Sequence, residues 1–195
     1  MVGAPWRPFS LNAIAPEPWR NGAGVTRTLA SGGADASAPW HWRVSVATIE
    51  ADGAFSTFPG VERSSLLMGG GQLTLTDAKG RTALCLGLHE SGQYAGDTPL
   101  QAVVQGAPLL CLNAMALRTR ARAQVRTVDS AAATARECVL LVLRGAFLAT
   151  VRDSQASATL FPAQGLHAPP GVGLVLTPLQ PNSLLALVEV DKVTY

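Results

Sequence analysis

Apolar residues along this chain come in short runs that alternate with polar ones, and turn residues separate the runs. Val25 to Ala30, Trp40 to Ile49, Gln72 to Thr76, Arg81 to Leu86, Leu100 to Val104 and Leu109 to Ala114 read as strands. Asp52-Gly53, Pro59-Gly60 and Lys79-Gly80 punctuate them. Glu137 to Leu143, Phe147 to Val151, Ala158 to Phe161, Gly173 to Thr177 and Ser183 to Val190 continue the pattern. No segment sustains a helical period. Ser130 to Glu137, with three consecutive alanines, reads as a linker with a short helical tendency, and Ser31 to Pro39 as a surface loop.

The pattern repeats. Leu66 to Leu75 and Leu141 to Thr150 are each strand, glycine turn, strand, followed by a second strand and a glycine-bearing loop with one histidine, His89 or His167. A duplicated barrel produces such a meander, because closing each sheet removes exposed edges. The expectation is therefore all-β, in two lobes of about 1–127 and 128–195. Gly69-Gly70-Gly71 has a strand on both sides and no helix after it, so it reads as a hairpin turn and not as a phosphate loop.

Alternation also assigns faces. Trp40, Trp42, Val44 and Val46 share one side of their strand, and His41, Arg43, Ser45 and Ala47 share the other. That second face is either solvated, with Arg43 an ordinary surface arginine, or the wall of a barrel mouth. Asn113 and Met115 lie together on another strand, where the amide either contributes to a pocket wall or finishes a strand end. Arg118, Arg120, Arg122 and Arg126 are evenly spaced, which puts all four on one face of a strand. No aromatic interleaves with them, so they read as a solvated edge that resists aggregation and not as a nucleic-acid ribbon.

Composition narrows the class. Hydrophobic residues make up 48% of the 195 and charged residues 14%, which suits a compact globular protein with a full core. Nineteen glycines and thirteen prolines imply many turns. A net charge of +2 is too small to draw nucleic acid or a membrane surface. The first residues lack the apolar centre of a signal peptide and no run is long enough to span a bilayer, so a cytoplasmic protein is expected. Cys85, Cys111 and Cys138 are far apart among aliphatic residues and read as buried thiols without a disulfide framework. Asp52 and Asp97 each adjoin glycine and read as turn formers.

The segment Trp19-Arg20-Asn21-Gly22-Ala23-Gly24-Val25-Thr26-Arg27 packs an indole, an amide, two glycines and a guanidinium into one turn that enters a strand. It is either an ordinary tight turn or a ligand site that holds Arg27. Downstream come Trp42-Arg43-Val44-Ser45, Asp52-Gly53, the run from Phe55 through Ser56, Phe58, Pro59 and Gly60 to Arg63, and Leu112-Asn113-Ala114-Met115. This set, in this order over the first two thirds of the chain, resembles the HutD/Ves family. Two positions depart from the family pattern. Ala23 replaces the middle glycine of a triplet, and Cys111-Leu112 stands where Asp-Phe is usual, which removes a carboxylate.

The resemblance implies a bicupin, a duplicated cupin-like β-barrel, associated with histidine utilisation. Catalytic cupins gather histidines and a carboxylate around one metal ion. His41, His89 and His167 are too scattered to supply closely spaced ligands, so neither a metal nor another cofactor is expected. The candidate ligand residues are Trp19, Asn21, Gly22, Gly24, Thr26, Arg27, Arg43, Arg63, Asn113 and Met115, with the arginines as planar donor forks for a carboxylate. The expected function is binding, of a regulatory kind, of a small anionic metabolite such as urocanate or N-formylglutamate, with no nucleic-acid or membrane partner and with a homodimer compatible. The alternative is a metal-independent isomerase or lyase.

Overall fold

A computed structural model describes residues 5–19, 21–106 and 108–193. Among these residues the chain forms strands and one short 3-10 turn, Leu11–Ala13. It divides into two units. The N-terminal unit comprises Ala15–Val125 with Lys192–Tyr195, and the C-terminal unit comprises Met1–Ile14 with Arg126–Asp191. Neither is a continuous stretch, whereas the expected lobes were. The first strand, β1 (Arg7–Ser10), pairs with a strand near the end of the chain and so belongs to the C-terminal unit.

In the N-terminal unit, β2 (Glu17–Pro18), β3 (Gly24–Gly32), β4 (Trp42–Ile49), β6 (Val61–Gly69), β9 (Ser91–Ala95) and β11 (Leu109–Leu117) form one sheet in the order β2-β3-β4-β11-β6-β9. A second sheet, β5-β10-β7-β8, is made of β5 (Gly53–Phe55), β7 (Gln72–Thr76), β8 (Thr82–Leu86) and β10 (Leu100–Gln105). Side chains from both sheets share one core, which includes Ile49, Leu67, Leu73, Leu75, Leu86, Leu100 and Leu109. Each such aliphatic side chain contributes about 1.5–3 kcal/mol by leaving water.

The C-terminal unit repeats the plan. Its long sheet runs β1-β17-β14-β19-β12, with β12 (Ala121–Val128) entering the unit at Arg126, and with β14 (Glu137–Arg144), β17 (Gln164–Ala168) and β19 (Leu184–Lys192). Its short sheet is β13-β18-β15-β16, from β13 (Ala132–Thr134), β15 (Phe147–Val151), β16 (Ser157–Leu160) and β18 (Leu174–Pro178). Strand for strand, β4 to β11 match β12 to β19 in order and in pairing. The match extends to a bulge: the register between β6 and β11 slips beside Met68, and that between β14 and β19 slips beside Leu143. All-β duplication, expected from the glycine-turn repeat, is what the chain adopts.

Several local expectations are corrected. Ser130 to Glu137 is no helical linker: Ala132–Thr134 pairs with Leu174 to Leu176, since alanine's helix preference is weak against a sheet partner. Gly69-Gly70-Gly71 does not close a hairpin. It carries the chain from one sheet to the other, with Gly70 at φ +91° and Gly71 pressed so closely on the Gln105 carbonyl that no Cβ fits. Arg118 and Arg120 lie in the turn before β12, so only Arg122 and Arg126 alternate along the strand, although all four are exposed. Cys85 is exposed because Leu84 and Leu86 take the inward positions of β8. His167 lies on β17 and not in a loop. β3 extends through Gly32, and Asp35 organises the rest of the expected surface loop by accepting hydrogen bonds from Ser37 and Ala38 and by pairing with His41 at 2.7 Å.

Candidate functional site

The N-terminal barrel encloses a cavity of about 210 Å³, small beside pockets for drug-sized ligands. Its wall follows from strand register. Arg43 on β4 lies opposite Met115 on β11, which lies opposite Arg63 on β6, which lies opposite Tyr94 on β9. Two residues along, Ser45, Asn113 and Ser65 make the next inward row. Alternation therefore aims Arg43, Ser45 and Ala47 into the barrel, so the face that was either solvated or a wall is a wall. Trp42, Val44 and Val46 on the opposite face are buried as well.

A polar network fixes the floor. Ser65 Oγ donates to Asn113 Oδ1 at 2.7 Å and lies 3.2 Å from Tyr94 Oη. Asn113 Nδ2 donates to the Cys111 carbonyl, which leaves its oxygen turned to Arg63 at 3.4 Å. Arg63 is only 7% exposed and also donates to the Ser56 carbonyl. Its guanidinium carbon lies 4.9 Å from the Tyr94 ring centre and 5.2 Å from that of Phe55. Arg43 sits between Trp40 and Phe58, at 5.3 and 5.8 Å, and donates to the Met115 thioether. Aromatic faces of this kind steady a guanidinium without neutralising it.

The Nε donors of both arginines are buried without a partner. No carboxylate forms an ion pair with either guanidinium among the described residues. Burial, and then the like charge of Arg63, pushes the Arg43 guanidinium below its ordinary range, while Glu17 opposes the shift. Burial raises the Tyr94 phenol and takes the Cys111 thiol up to about 11, so neither supplies an anion near neutral pH. Two desolvated cations with free donors are a costly arrangement unless an anion shares the space.

The expected candidates divide. Trp19, Thr26, Arg43, Arg63, Asn113 and Met115 line the cavity together. Trp19 Nε1 donates to Thr26 Oγ1 at 2.7 Å and its ring meets Phe55 edge-on. Arg27 does not line it. One residue beyond Thr26, it points to the other side of β3, so the guanidiniums in the cavity are Arg43 and Arg63. Asn21, Gly22 and Gly24 shape the turn and do not line the cavity. Asn21 Oδ1 accepts from Ala23 N, Gly22 takes φ +71°, and Gly24 lets β3 approach the Thr48 carbonyl where a Cβ would collide. Glu17, Pro18, Ala47, Phe55, Ser56 and Phe58 complete the lining. The phenylalanines and Ser56 stand in the motif that leads to Arg63, where their spacing was a usable signal. Nothing local marks Glu17.

These side chains do not suit a metal ion. Among the described residues no three His, Cys, Asp or Glu side chains converge, and the barrel interior presents two guanidiniums, which repel a cation. His41 is engaged by Asp35, His89 follows β8 in a turn, and His167 belongs to the other unit.

The family model that matches is HutD, over residues 11–182. Protein Ves of Citrobacter koseri is 37% identical over 142 residues, covering 71% of this chain and 73% of that protein. HutD of Pseudomonas fluorescens SBW25 superposes with a TM-score of 0.80 at 19% identity, covering 97% of this chain and all of that one, 100%. A cupin 2 conserved barrel domain protein of Leptotrichia buccalis gives 0.61 at 8% identity, covering 95% and 96% of the two chains. These two structural likenesses carry the fold, a cupin-like barrel twice over.

Proposed function

Because this chain belongs to the HutD family, we propose that its N-terminal barrel is a metal-free binding site for a small carboxylate metabolite and that the protein acts by binding, in a regulatory role, and not by turnover. One observation carries the reading: Arg43 and Arg63 are withdrawn into a small cavity, held by aromatic rings, with both Nε donors unpaired. A planar carboxylate matches such forks in charge and geometry. Proton-transfer catalysis needs a positioned acid and base. The cavity lining instead has a single carboxylate, Glu17, and no histidine. Urocanate and N-formylglutamate, acids of histidine degradation, are the ligands that the family's name brings forward, and a cytoplasmic location goes with that reading.

A thermal-shift series tests it. At 100 times its dissociation constant a ligand stabilises the native state by about 2.7 kcal/mol, which for this chain length raises the midpoint by roughly 5–10 °C. The matching acid should give that rise, its methyl ester should give none, and Arg63→Met should abolish the response while staying folded. Shifts indifferent to esterification, or an unchanged response in Arg63→Met, would remove the carboxylate site. Turnover of a candidate acid would move the protein to the isomerase or lyase class.

A further inference from the structure

The cavity has a second electrostatic feature, set apart from the buried arginine along the strands. Glu17 is the sole carboxylate among the lining residues. It sits on the two-residue strand β2, directly opposite Thr26 in the pairing with β3. Opposed residues of an antiparallel pair share a face, and Thr26 lines the cavity, so the Glu17 side chain stands on the cavity face too. The register continues from Thr26 to Ala47 and on to Cys111, which is two rows along the strands from the row that holds Arg43, Met115 and Arg63. Along the strands that offset is roughly 13 Å, and β2 and β6 stand four places apart in the sheet, so the two charges meet different parts of one small cavity.

Glu17 is not the counter-ion of the arginines. Its carboxylate forms no hydrogen bond or ion pair among the described residues, and its influence on Arg43 is through space. Arg43 is instead turned towards the Met115 sulfur and lies between Trp40 and Phe58. Arg63 is buried and Glu17 is exposed, so the cavity is positive within and negative at its rim. A ligand with a carboxylate at each end meets repulsion at that rim. A ligand with a carboxylate at one end and a protonated nitrogen at the other is attracted at both.

From this polarity we infer that Glu17 is the specificity-determining residue of the cavity and that its ligands are small carboxylates bearing a cationic nitrogen at the far end. The inference rests on the carboxylate reading above and separates the two acids named there. Urocanate, with one carboxylate and an imidazole that can take up a proton at its far end, fits this polarity, whereas N-formylglutamate, with two carboxylates and a neutral amide, is disfavoured. Three probes of equal chain length separate the possibilities: 4-aminobutanoate, pentanoate and glutarate, each titrated calorimetrically into the wild-type chain and into Glu17→Gln at fixed, low salt. The wild type should bind 4-aminobutanoate at least ten times more tightly than glutarate. Glu17→Gln should lose at least tenfold for 4-aminobutanoate, change little for pentanoate and gain for glutarate, so that the order of preference reverses. The Glu17 side chain is exposed and makes no hydrogen bond, so the variant should fold, and its unliganded melting midpoint checks this. Tighter wild-type binding of glutarate than of 4-aminobutanoate would overturn the inference and leave the carboxylate site standing. So would a Glu17→Gln effect of equal size on all three probes. No binding of any probe to either protein would overturn the carboxylate reading and this inference with it.

Discussion

The two barrels share a strand order, a glycine turn and a bulge, yet one has an open polar interior and the other is filled. Counting back from Gly70 and Gly145, both at positive φ, sets Arg63, Ser65 and Leu67 against Cys138, Leu140 and Val142. On the facing strands the bulges set Cys111, Asn113 and Met115 against Leu185, Leu187 and Glu189. Cys138, Leu140, Val142, Leu185 and Leu187 all belong to the C-terminal core, together with Phe147 and Leu166. The one polar exception there, Glu189, accepts from Thr134 Oγ1 at 2.7 Å and lies 3.6 Å from Arg126, so it is already neutralised from within the unit. The same backbone thus presents the same inward positions twice. Side-chain volume and unmet charge, not topology, leave a cavity in one of them.

Exchanging residues between equivalent positions should break that contrast most severely in the filled barrel. Leu187→Asn would put an amide into an apolar cluster, and the lost packing with an unsatisfied polar group should cost about 4 kcal/mol in urea unfolding. The reciprocal Asn113→Leu should remain folded but weaken carboxylate binding at least tenfold by removing the group that orients Arg63. Equal destabilisation by the two changes would show that the N-terminal network is structural and not a binding surface.

Truncation gives the next largest effect. Leu140→Ala should cost about 2–5 kcal/mol, because the side chain is fully buried in a packed cluster. The equivalent Ser65→Ala loses a hydrogen bond at the edge of an existing cavity and should cost about 1 kcal/mol. Similar losses at the two sites, measured by chemical denaturation, would contradict the packing difference.

Thiol chemistry sharpens the comparison with the smallest effect. Cys85 is exposed, whereas burial takes Cys111 up to about 11 and Cys138 up to about 12. A maleimide at pH 8 should therefore label one thiol quickly and the other two only on unfolding; two fast thiols would mean that the cavity opens as far as Cys111. Since both folded values are raised, the stability linked to these thiols is complete below about pH 9. It is lost as pH rises towards 11 and 12, with the unfolded chain ionising first.

What the sequence by itself determined was the strand pattern, the duplication and most of the wall. Period-two alternation placed Arg43 with Ser45 and Asn113 with Met115, because inward and outward positions are a local property of a strand. Motif order brought in Trp19, Thr26 and Arg63. Turn chemistry located Asp52 and Asp97, which accept from the Val104 and Gly60 amides. Tertiary structure alone decided which face of each strand met the cavity. Arg27 and Arg63 looked equivalent as donors, but the register of β3 turns Thr26 inward and Arg27 away, and a one-residue step reverses a side chain. Glu17 was invisible for a related reason: its two-residue strand carries no periodicity, and only pairing with β3 brings its carboxylate to the rim. Ala132 and Ala133 became strand and not helix through a partner some forty residues away, since propensity is a local energy of tenths of a kcal/mol, about the smallest quantity at work, and sheet pairing is a non-local one.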